Sequence, residues 1–263
     1  MKWCRFETNG AVRFGIVEGD LVTEVEGDPF NGYQETSIKF HQDQVHLLVP
    51  VVPPTLYAGG LNYPDHVIWA AEHAGTPPVW PKEPRLGARS TNGLIPHEGV
   101  IIKPKDATDE FQYEGELVAV IGKYARNLSR EDALSCVLGY TIGNDVSERS
   151  WQRDDTNNWR AKDTDTFHPM GPFIATGLDP TNLEVAVRLN NDEKIRFNTG
   201  KMIWAVADFI EQITRYHTLQ PGDVIWTGTE GATLNMYPGD VIEIEIEGIG
   251  TLRNSVGSEE RLN

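Results

Sequence analysis

The sequence predicts a mainly β protein of the α+β class. Short apolar segments rich in β-branched residues, punctuated by glycine and proline, occupy most of the chain. Helical character is confined to two segments, 62–75 and 201–216. The regular alternation of strands and helices that marks a Rossmann or TIM fold is absent from the sequence.

Residues 1–50 are predicted to form a small N-terminal β domain. Three strand candidates, WCRFE, AVRFGIV and DLVTEV, are separated by Thr-Asn-Gly and Glu-Gly-Asp turns. The proline-rich segment 49–55 is typical of a linker. A larger unit is expected to begin at residue 56.

The larger unit opens with a predicted helix and a predicted loop. Pro64 suits a first helical turn, Asp65 favours the positive end of the helix dipole, and Gly75 favours a stop. Residues 76–98 contain five prolines and little apolar periodicity. They are expected to form a long loop, and such loops usually serve a function.

Strands are predicted to dominate from residue 100 onward. EVAVRLN and KIRF flank Asn191-Asp192 and predict a hairpin or a short connection. Apolar residues at helical spacing then predict an amphipathic helix over 201–216. Further strand candidates follow in DVIWTGT, DVIEIEIE and GTLRNSV.

Composition restricts the class of partner and the compartment. The 263 residues carry a formal net charge of −16, which argues against a nucleic-acid or anionic-membrane surface. Only Cys4 and Cys136 are present, without C-x-x-C spacing, so a reducing compartment is expected. No secretory signal and no segment of transmembrane length is recognised, and we expect a cytoplasmic protein.

Two carboxylates in YEGELVAVIGK point to a metal site. Glu114 and Glu116 lie two residues apart in a predicted strand, so their side chains share one face. That face continues as Val118 and Val120, unlike the strict alternation of VIEIEIE, which is typical of a solvated face. Buried carboxylates need a proton or a cation between them. With Asp145 from a neighbouring strand they would form an all-oxygen site suited to Mg²⁺ or Mn²⁺, and a solvated Glu pair is the competing interpretation.

Other polar residues are candidates for chemistry. His66, on a short helix, could act as a general base or be an ordinary histidine. Lys162, in RAKDTDTF, could meet a substrate anion or enolate, or pair with nearby aspartates. Thr227-Gly228-Thr229 could offer donors to a carboxylate or form a plain turn. Nucleotide-binding and serine-hydrolase motifs are absent.

Taken together in order, these segments resemble the fumarylacetoacetate hydrolase superfamily. The resemblance covers residues 56–256 and is carried by the segments NYPDH, YEGELVAVIGK, GYTIGNDVSERSWQ, KDTDTFHPMGPF, LQPGDVIWTGT and GDVIEIEIEGIGTLRNSV. It implies a mixed β-sandwich roll, a homodimer and a Mg²⁺ or Mn²⁺ cofactor.

The resemblance also implies roles for individual residues. Glu114, Glu116 and Asp145 match the metal ligands of the family, and Lys162 matches a lysine beside the metal. The residues matched to substrate binding or to the mobile lid are Tyr63, His66, Arg149, Gln152 and Thr229.

The implied reaction is metal-dependent hydrolysis of a carbon–carbon bond in a small anionic 2-oxo or 1,3-dioxo acid, of the acylpyruvate or fumarylpyruvate type. The oxo acid would chelate the metal, which stabilises the enolate, while His66 activates water and Lys162 neutralises the leaving group.

Three positions depart from the family pattern. Trp69 stands where hydrolytic and decarboxylating members commonly carry a glutamate that polarises the histidine, and it is expected to supply an apolar wall. Pro64 replaces a lid arginine, and Glu230 replaces the proline usual after T-G-T. Isomerisation or tautomerisation of a 2-hydroxydienoate dicarboxylate from aromatic catabolism, decarboxylation, and a binding protein without turnover therefore remain alternatives to hydrolysis.

Overall fold

The N-terminal strands form an antiparallel meander. The computed structural model describes residues 1–231 and 233–259. The first five strands are β1 Lys2–Thr8, β2 Ala11–Glu18, β3 Leu21–Asp28, β4 Gly32–His41 and β5 His46–Leu48. The meander contains the three predicted strands and adds β4 and β5, which the sequence analysis did not predict.

The middle of the chain contains the strands and short helices that build the site. Its elements are β6 Leu56–Gly60, α1 Pro64–Ala74, β7 Arg85–Arg89, β8 Leu94–Ile95, β9 Val100–Lys103, β10 Phe111–Gln112, β11 Gly115–Ile121, β12 Val137–Asn144, β13 Ser147–Glu148, α2 Arg149–Gln152, α3 Trp159–Asp163 and β14 His168–Ala175. The C-terminal elements are β15 Glu184–Leu189, β16 Asp192–Asn198, α4 Val206–Tyr216, β17 Val224–Trp226, β18 Val241–Ile246 and β19 Gly250–Ser258.

These strands form one large sheet and two smaller ones. The large sheet has the order β4-β3-β2-β1-β14-β12-β11-β17-β6-β7, with β5 paired to β1 and β8 to β14. A second sheet has the order β16-β15-β18-β19-β9, and β10 pairs with β13. The mainly β prediction is confirmed, and the β15–β16 hairpin forms where it was expected.

Strand β11 is central because it packs apolar residues on both faces. Leu117, Ala119 and Ile121 join a core with α4 and the five-stranded sheet. Val118 and Val120 join a second core with residues of the N-terminal meander. All seven residues of β11 are therefore buried, as the apolar character of both faces predicted.

Helix α1 is confirmed, with Pro64 at its start and Gly75 in the left-handed conformation at its end (φ 64°). The prediction of a loop over 76–98 is wrong in part, because Arg85–Arg89 pairs with β6 as an edge strand and Leu94–Ile95 pairs with β14. Backbone pairing to an available sheet edge offsets the weak strand pattern of this short segment.

Two further boundaries differ from the predictions. The predicted helix over 201–216 begins only at Val206, since Asn62 hydrogen-bonds both the N–H and the carbonyl of Trp204 and holds the preceding turn outside the helix. The segment 49–55 contributes Val51 to the second core. The division into domains at 1–50 and 56–256 stays a prediction.

The longest helices within residues 1–231 and 233–259 have eleven residues, and none of them is long and apolar enough to cross a membrane.

Candidate metal centre and active-site cavity

Three buried carboxylates converge at one end of β11 and β12. Antiparallel pairing sets Gly115 opposite Asn144, which places Glu114 beside Asp145. The Asp145 N–H donates to the Glu114 carbonyl (2.9 Å), and the Glu114 N–H donates to Asn144 Oδ1 (2.9 Å). One oxygen each of Glu114, Glu116 and Asp145 lies within 4.8 Å of the others.

Two short helices bring cations to these carboxylates. The Glu148 side chain accepts from the Trp151 N–H (2.7 Å) and caps the turn that carries Arg149. The Asp155 side chain accepts hydrogen bonds from the N–H groups of Arg160 and Ala161, at 3.0 and 2.7 Å. It thereby supports the first turn of α3, the helix that carries Lys162.

Lys162 and Arg149 compensate the charge of Glu114 and Asp145. Lys162 Nζ lies 2.6 Å from Glu114 Oε2 and 2.7 Å from Asp145 Oδ2, and Arg149 Nη2 lies 2.6 Å from Glu114 Oε1. Burial by itself would raise the pKa values of both acids. The nearby cations outweigh burial and hold the pKa of Glu114, and that of Asp145, below the usual value.

Glu116 has the opposite electrostatic environment. Its Oε2 accepts a hydrogen bond from the Gly228 N–H (2.8 Å). Burial and then the charges of Asp145 and Glu114 raise its pKa well above the usual value. The third carboxylate of the set therefore lacks a compensating charge of its own.

The donor set fits a hard divalent cation. Asp145 Oδ1 is buried and has no hydrogen-bond partner among the described residues. An ion that bound one oxygen from each carboxylate would satisfy this atom and relieve the repulsion at Glu116. Three carboxylate oxygens suit Mg²⁺ or Mn²⁺, since zinc sites usually include nitrogen or sulfur ligands.

His66 is held over the site by a backbone carbonyl. Its Nδ1 lies 3.2 Å from the Thr229 carbonyl oxygen, which can only accept, so Nδ1 carries the proton and Nε2 presents a lone pair. Burial lowers the pKa of His66 to about 4, so the ring is neutral at pH 7. Gly231 (φ 102°) permits this close packing, because a Cβ there would lie 2.4 Å from His66 Cγ.

Trp69 forms an aromatic wall beside the histidine. Its ring centroid lies 5.7 Å from that of His66, edge to face, and 4.0 Å from that of His73. The Arg149 guanidinium lies 5.6 Å from the Trp69 ring. An apolar wall at this position was expected from the sequence.

Most of the predicted site residues share one cavity of about 1120 Å³. Those that line it are His66, Trp69, Glu114, Arg149, Gln152, Lys162 and Thr229. Within it, Arg149 Nη1 donates to Gln152 Oε1 (3.0 Å), which orients both side chains toward the same volume.

Tyr63 lies apart from this cavity. Its side chain is fully buried and packs edge to face against Phe197, with ring centroids 5.2 Å apart. A contact between Tyr63 and substrate stays a prediction. Arg160, two residues before Lys162, lies over the Trp151 ring at 4.6 Å and does not line the cavity.

Two residues beside Asp145 were not among the candidates indicated by the sequence. Arg89 Nη2 lies 3.6 Å from Asp145 Oδ2, and fully buried His168 has its Nε2 3.7 Å from Asp145 Oδ1 and 3.6 Å from Asp163 Oδ1. Burial lowers the pKa of His168 to about 4. The available signals were a histidine inside the apolar strand FHPMGPF and arginines four residues apart in RLGAR.

Comparison with known families matches almost the whole chain. Residues 55–257 match the family model of the fumarylacetoacetate (FAA) hydrolase C-terminal domain, and residues 1–50 match the model described as Rv2993c-like, N-terminal. The chain is also 38% identical over 255 residues to an uncharacterized protein of Archaeoglobus fulgidus, covering 95% of this chain and 94% of that one.

Solved structures share the fold over nearly the full length. The 5-carboxymethyl-2-hydroxymuconate delta-isomerase of Mycobacterium smegmatis superposes with a TM-score of 0.89 at 35% identity, covering 98% of this chain and 100% of that one. The maleylpyruvate hydrolase of Sphingobium sp. SYK-6, in complex with manganese (II) and pyruvate, gives a TM-score of 0.80 at 25% identity, with 98% and 99% of the two chains covered.

Proposed function

The chain belongs to the fumarylacetoacetate hydrolase family, and we propose that it is a Mg²⁺- or Mn²⁺-dependent hydrolase that cleaves a carbon–carbon bond in a 2-oxo or 1,3-dioxo acid. One observation carries the proposal: three buried carboxylates within 4.8 Å of one another adjoin a cavity lined by His66, Arg149 and Lys162. A hydrolase relative with bound manganese and pyruvate supports the same chemistry.

The charge balance of the site favours an anionic substrate. Lys162, Arg149 and Arg89 together offset the three carboxylates at the same centre. A divalent cation added to this set leaves excess positive charge beside the cavity, which attracts an oxo acid. When bound, the cation supplies Lewis-acid chemistry that polarises the oxygens of the substrate.

Arg149, Gln152 and Lys162 are proposed to bind and orient the substrate. Arg149 and Gln152 are joined at 3.0 Å and offer N–H donors to a carboxylate or carbonyl oxygen. The Lys162 ammonium stands between Glu114 and Asp145, where it can neutralise negative charge that develops on the departing fragment.

His66 is proposed to be the general base. The Thr229 carbonyl fixes its tautomer, so Nε2 can accept a proton from water that attacks the distal carbonyl of the substrate. A carbonyl does not add negative charge to the imidazole as a carboxylate would, and burial already lowers the pKa of His66 to about 4. His66 is therefore a weak base for water.

Isomerisation is the second candidate, and Trp69 is the observation that favours it. The indole ring stands 5.7 Å from His66 in the position of the expected glutamate, and it offers no carboxylate to polarise the imidazole. Moving a proton along an enolised dicarboxylate needs a base but no activated water. The similarity to a delta-isomerase agrees with this alternative.

A substrate panel with product analysis tests both candidates. The protein, loaded with Mg²⁺ or Mn²⁺, is assayed with acylpyruvates, a fumarylpyruvate-like dioxo acid, enol-oxaloacetate and 2-hydroxydienoates, and the products are identified by mass. Hydrolysis yields two fragments whose masses include one water, isomerisation conserves the mass, and decarboxylation loses carbon dioxide.

The controls are EDTA and the His66→Ala variant. Activity that disappears in EDTA and returns with Mn²⁺ is expected, together with a loss of hydrolysis of at least about 100-fold in His66→Ala. Full hydrolysis in His66→Ala would rule out the proposed base. Metal binding without turnover of any substrate would instead indicate a binding protein.

We further propose a homodimer in the cytoplasm, carrying over the family resemblance and the reducing compartment indicated by two free, buried cysteines. Light scattering coupled to size exclusion tests the assembly, and a mass of 29.4 kDa, that of one chain, would contradict it.

A further inference from the structure

Strand β7, at one edge of the large sheet, forms a wall of the cavity that carries two arginines, Arg85 and Arg89. Arg85, Gly87 and Arg89 all line the cavity. They lie two residues apart along the strand, so their Cα–Cβ directions share one face. The proposed reaction involves Arg89 at one end of β7 but gives no role to Arg85 at the other end.

The inner end of this wall belongs to the metal centre. The Arg89 side chain is only 9% exposed, and its Nη2 lies 3.6 Å from Asp145 Oδ2. A Cβ on Gly87 would meet nothing within 4 Å except Arg89 Nη1, at 3.4 Å. The space over Gly87 is therefore open, and a ligand can run along the strand from Arg89 outward.

Arg85 marks the outer end of the same wall. It lies four residues from Arg89, a distance of about 13 Å along an extended strand. The other arginines and the lysine of the cavity lining each have a carboxylate within 4.0 Å: Arg89 has Asp145, Arg149 and Lys162 have Glu114, and Arg153 has Glu110. Among the described residues, Arg85 makes no ion pair and no hydrogen bond through its side chain, although the protein carries a net charge of −16.

We propose that Arg85 is a specificity-determining residue that binds the second, distal carboxylate of a dicarboxylic oxo acid. The inference rests on the proposed function, since the first carboxylate and the oxo group are taken to bind at the metal centre. An extended substrate then runs into the open space over Gly87, about 7 Å along the strand from Arg89, where the long side chain of Arg85 can meet its far end. A guanidinium pairs with a carboxylate through two parallel hydrogen bonds, and it contributes nothing to an uncharged terminus.

The test compares two ligands that differ only in the distal group. Titration calorimetry on the full chain with saturating Mn²⁺ measures the dissociation constants of 2-oxoadipate and 2-oxohexanoate, and oxalate serves as a probe of the metal centre alone. We expect the wild type to bind 2-oxoadipate about 10- to 100-fold more tightly than 2-oxohexanoate, the range of a charge-assisted hydrogen bond.

The Arg85→Gln variant should reduce this preference to about threefold or less and leave oxalate binding unchanged, and Arg85→Lys should restore part of it. Lys82→Gln is the matched control, because it removes the same charge from an exposed position outside the cavity lining. It should keep the wild-type preference.

The outcomes separate the inference from the proposed function. Equal affinities of the wild type for the two oxo acids, or an equal loss of both in Arg85→Gln, would overturn the role of Arg85 while manganese-dependent oxalate binding still supports the metal centre. Failure of oxalate to bind the manganese-loaded protein would overturn both.

Discussion

Glu116 is the residue at which the metal centre is least compensated. Lys162 contacts Glu114 and Asp145, while Glu116 has only the Gly228 N–H at 2.8 Å. Burial and its two carboxylate neighbours raise its pKa well above the usual value. In the proposed metal centre this side chain would oppose folding without a cation and would act as a ligand when a cation is bound.

Replacing Glu116 by glutamine should therefore have two opposite effects. Glu116→Gln keeps an acceptor for Gly228 but removes the charge, so the EDTA-treated variant should unfold at a higher temperature than the EDTA-treated wild type. Its Mn²⁺ affinity should fall more than about 100-fold, since even residues that only support a metal ligand are worth about 10- to 100-fold. Calorimetric titration and thermal denaturation measure the two quantities.

The exposed Glu247→Gln variant is the control, and it should match the wild type in both measurements. Unchanged Mn²⁺ affinity in Glu116→Gln would show that the three carboxylates do not form the metal site.

Trp69 is the residue at which the two proposed reactions, hydrolysis and isomerisation, can be distinguished by mutation. Trp69→Glu places a carboxylate within reach of His66, which raises the pKa of the imidazole above about 4 and strengthens it as a base. We expect the hydrolytic kcat to rise about tenfold. The acidic limb of the pH–rate profile should move to higher pH, because the stronger base stays protonated to a higher pH.

Trp69→Phe keeps an aromatic wall without the carboxylate and is the matched control for this change. A similar hydrolytic rate in both variants would show that the missing carboxylate does not limit water activation.

At the residue scale, the sequence predicted the placement of those side chains that depends only on the alternation of residues along a strand. Glu114 and Glu116 share a face because they are two residues apart in a strand. Arg89 and His168 could not be found in this way. Their proximity to Asp145 depends on how β7 and β14 join the large sheet, and pairing between distant segments is not visible in the local pattern.

At the scale of elements, helix α1 is tied to the loop after β17 by a pair of acids. The Glu230 carboxyl, 8% exposed, faces the carboxyl of Asp65 in the first turn of α1 closely enough for the two acids to interact. Burial and then the neighbouring Asp65 carboxyl raise the pKa of Glu230 to about 7. Lys201 Nζ lies 4.0 Å from Glu230 Oε1 and opposes this rise in pKa. Burial, and then the charges of Glu116 and Glu230, raise the pKa of the buried Tyr63.

This pair should make the stability of the protein depend on pH. The folded protein binds the Glu230 proton more tightly than the unfolded chain, whose glutamates titrate near 4.5. The contribution to the free energy of unfolding is therefore fully present below pH 4.5 and is lost as the pH rises through 7. Glu230→Gln should reduce the loss of stability between pH 5 and pH 8 by about 2 kcal/mol.

Urea denaturation at several pH values measures the effect of Glu230→Gln. The exposed Glu18→Gln variant should retain the wild-type pH dependence. If Glu230→Gln also retains it, the shared proton between α1 and the loop does not exist.

Some element boundaries are determined by tertiary contacts and not by the local sequence pattern. The apolar spacing over 201–216 continues through residues that Asn62 holds in a turn, so helix α4 is shorter than its pattern. Conversely, RLGAR has a weak strand pattern and becomes β7 because the edge of β6 is available. In both cases the deciding partner lies far away in the sequence.

At the scale of the whole molecule, the N-terminal meander is continuous with the sheet that carries the site. Strand β1 pairs with β14, and Trp3 shares a core with Ile174 and Trp226. The Trp226 ring in turn lies 5.7 Å from that of His168, the histidine beside Asp145. Packing contacts thus connect the first strand to Asp145 through Trp226 and His168.

This continuity predicts that the chain unfolds as one unit, although its sequence reads as two domains. Trp3 is 3% exposed, so Trp3→Ala should lower the free energy of unfolding by about 3 to 5 kcal/mol, the usual cost of deleting a buried tryptophan. Tryptophan fluorescence and far-ultraviolet circular dichroism should report the same urea midpoint, and the Trp3→Ala variant should shift both midpoints together.

Val12→Ala, on an exposed position of the same meander, is the control and should change the free energy of unfolding by less than about 0.5 kcal/mol. An added early transition in Trp3→Ala, with the main midpoint unchanged, would instead show that residues 1–50 fold independently and that the site does not depend on their packing.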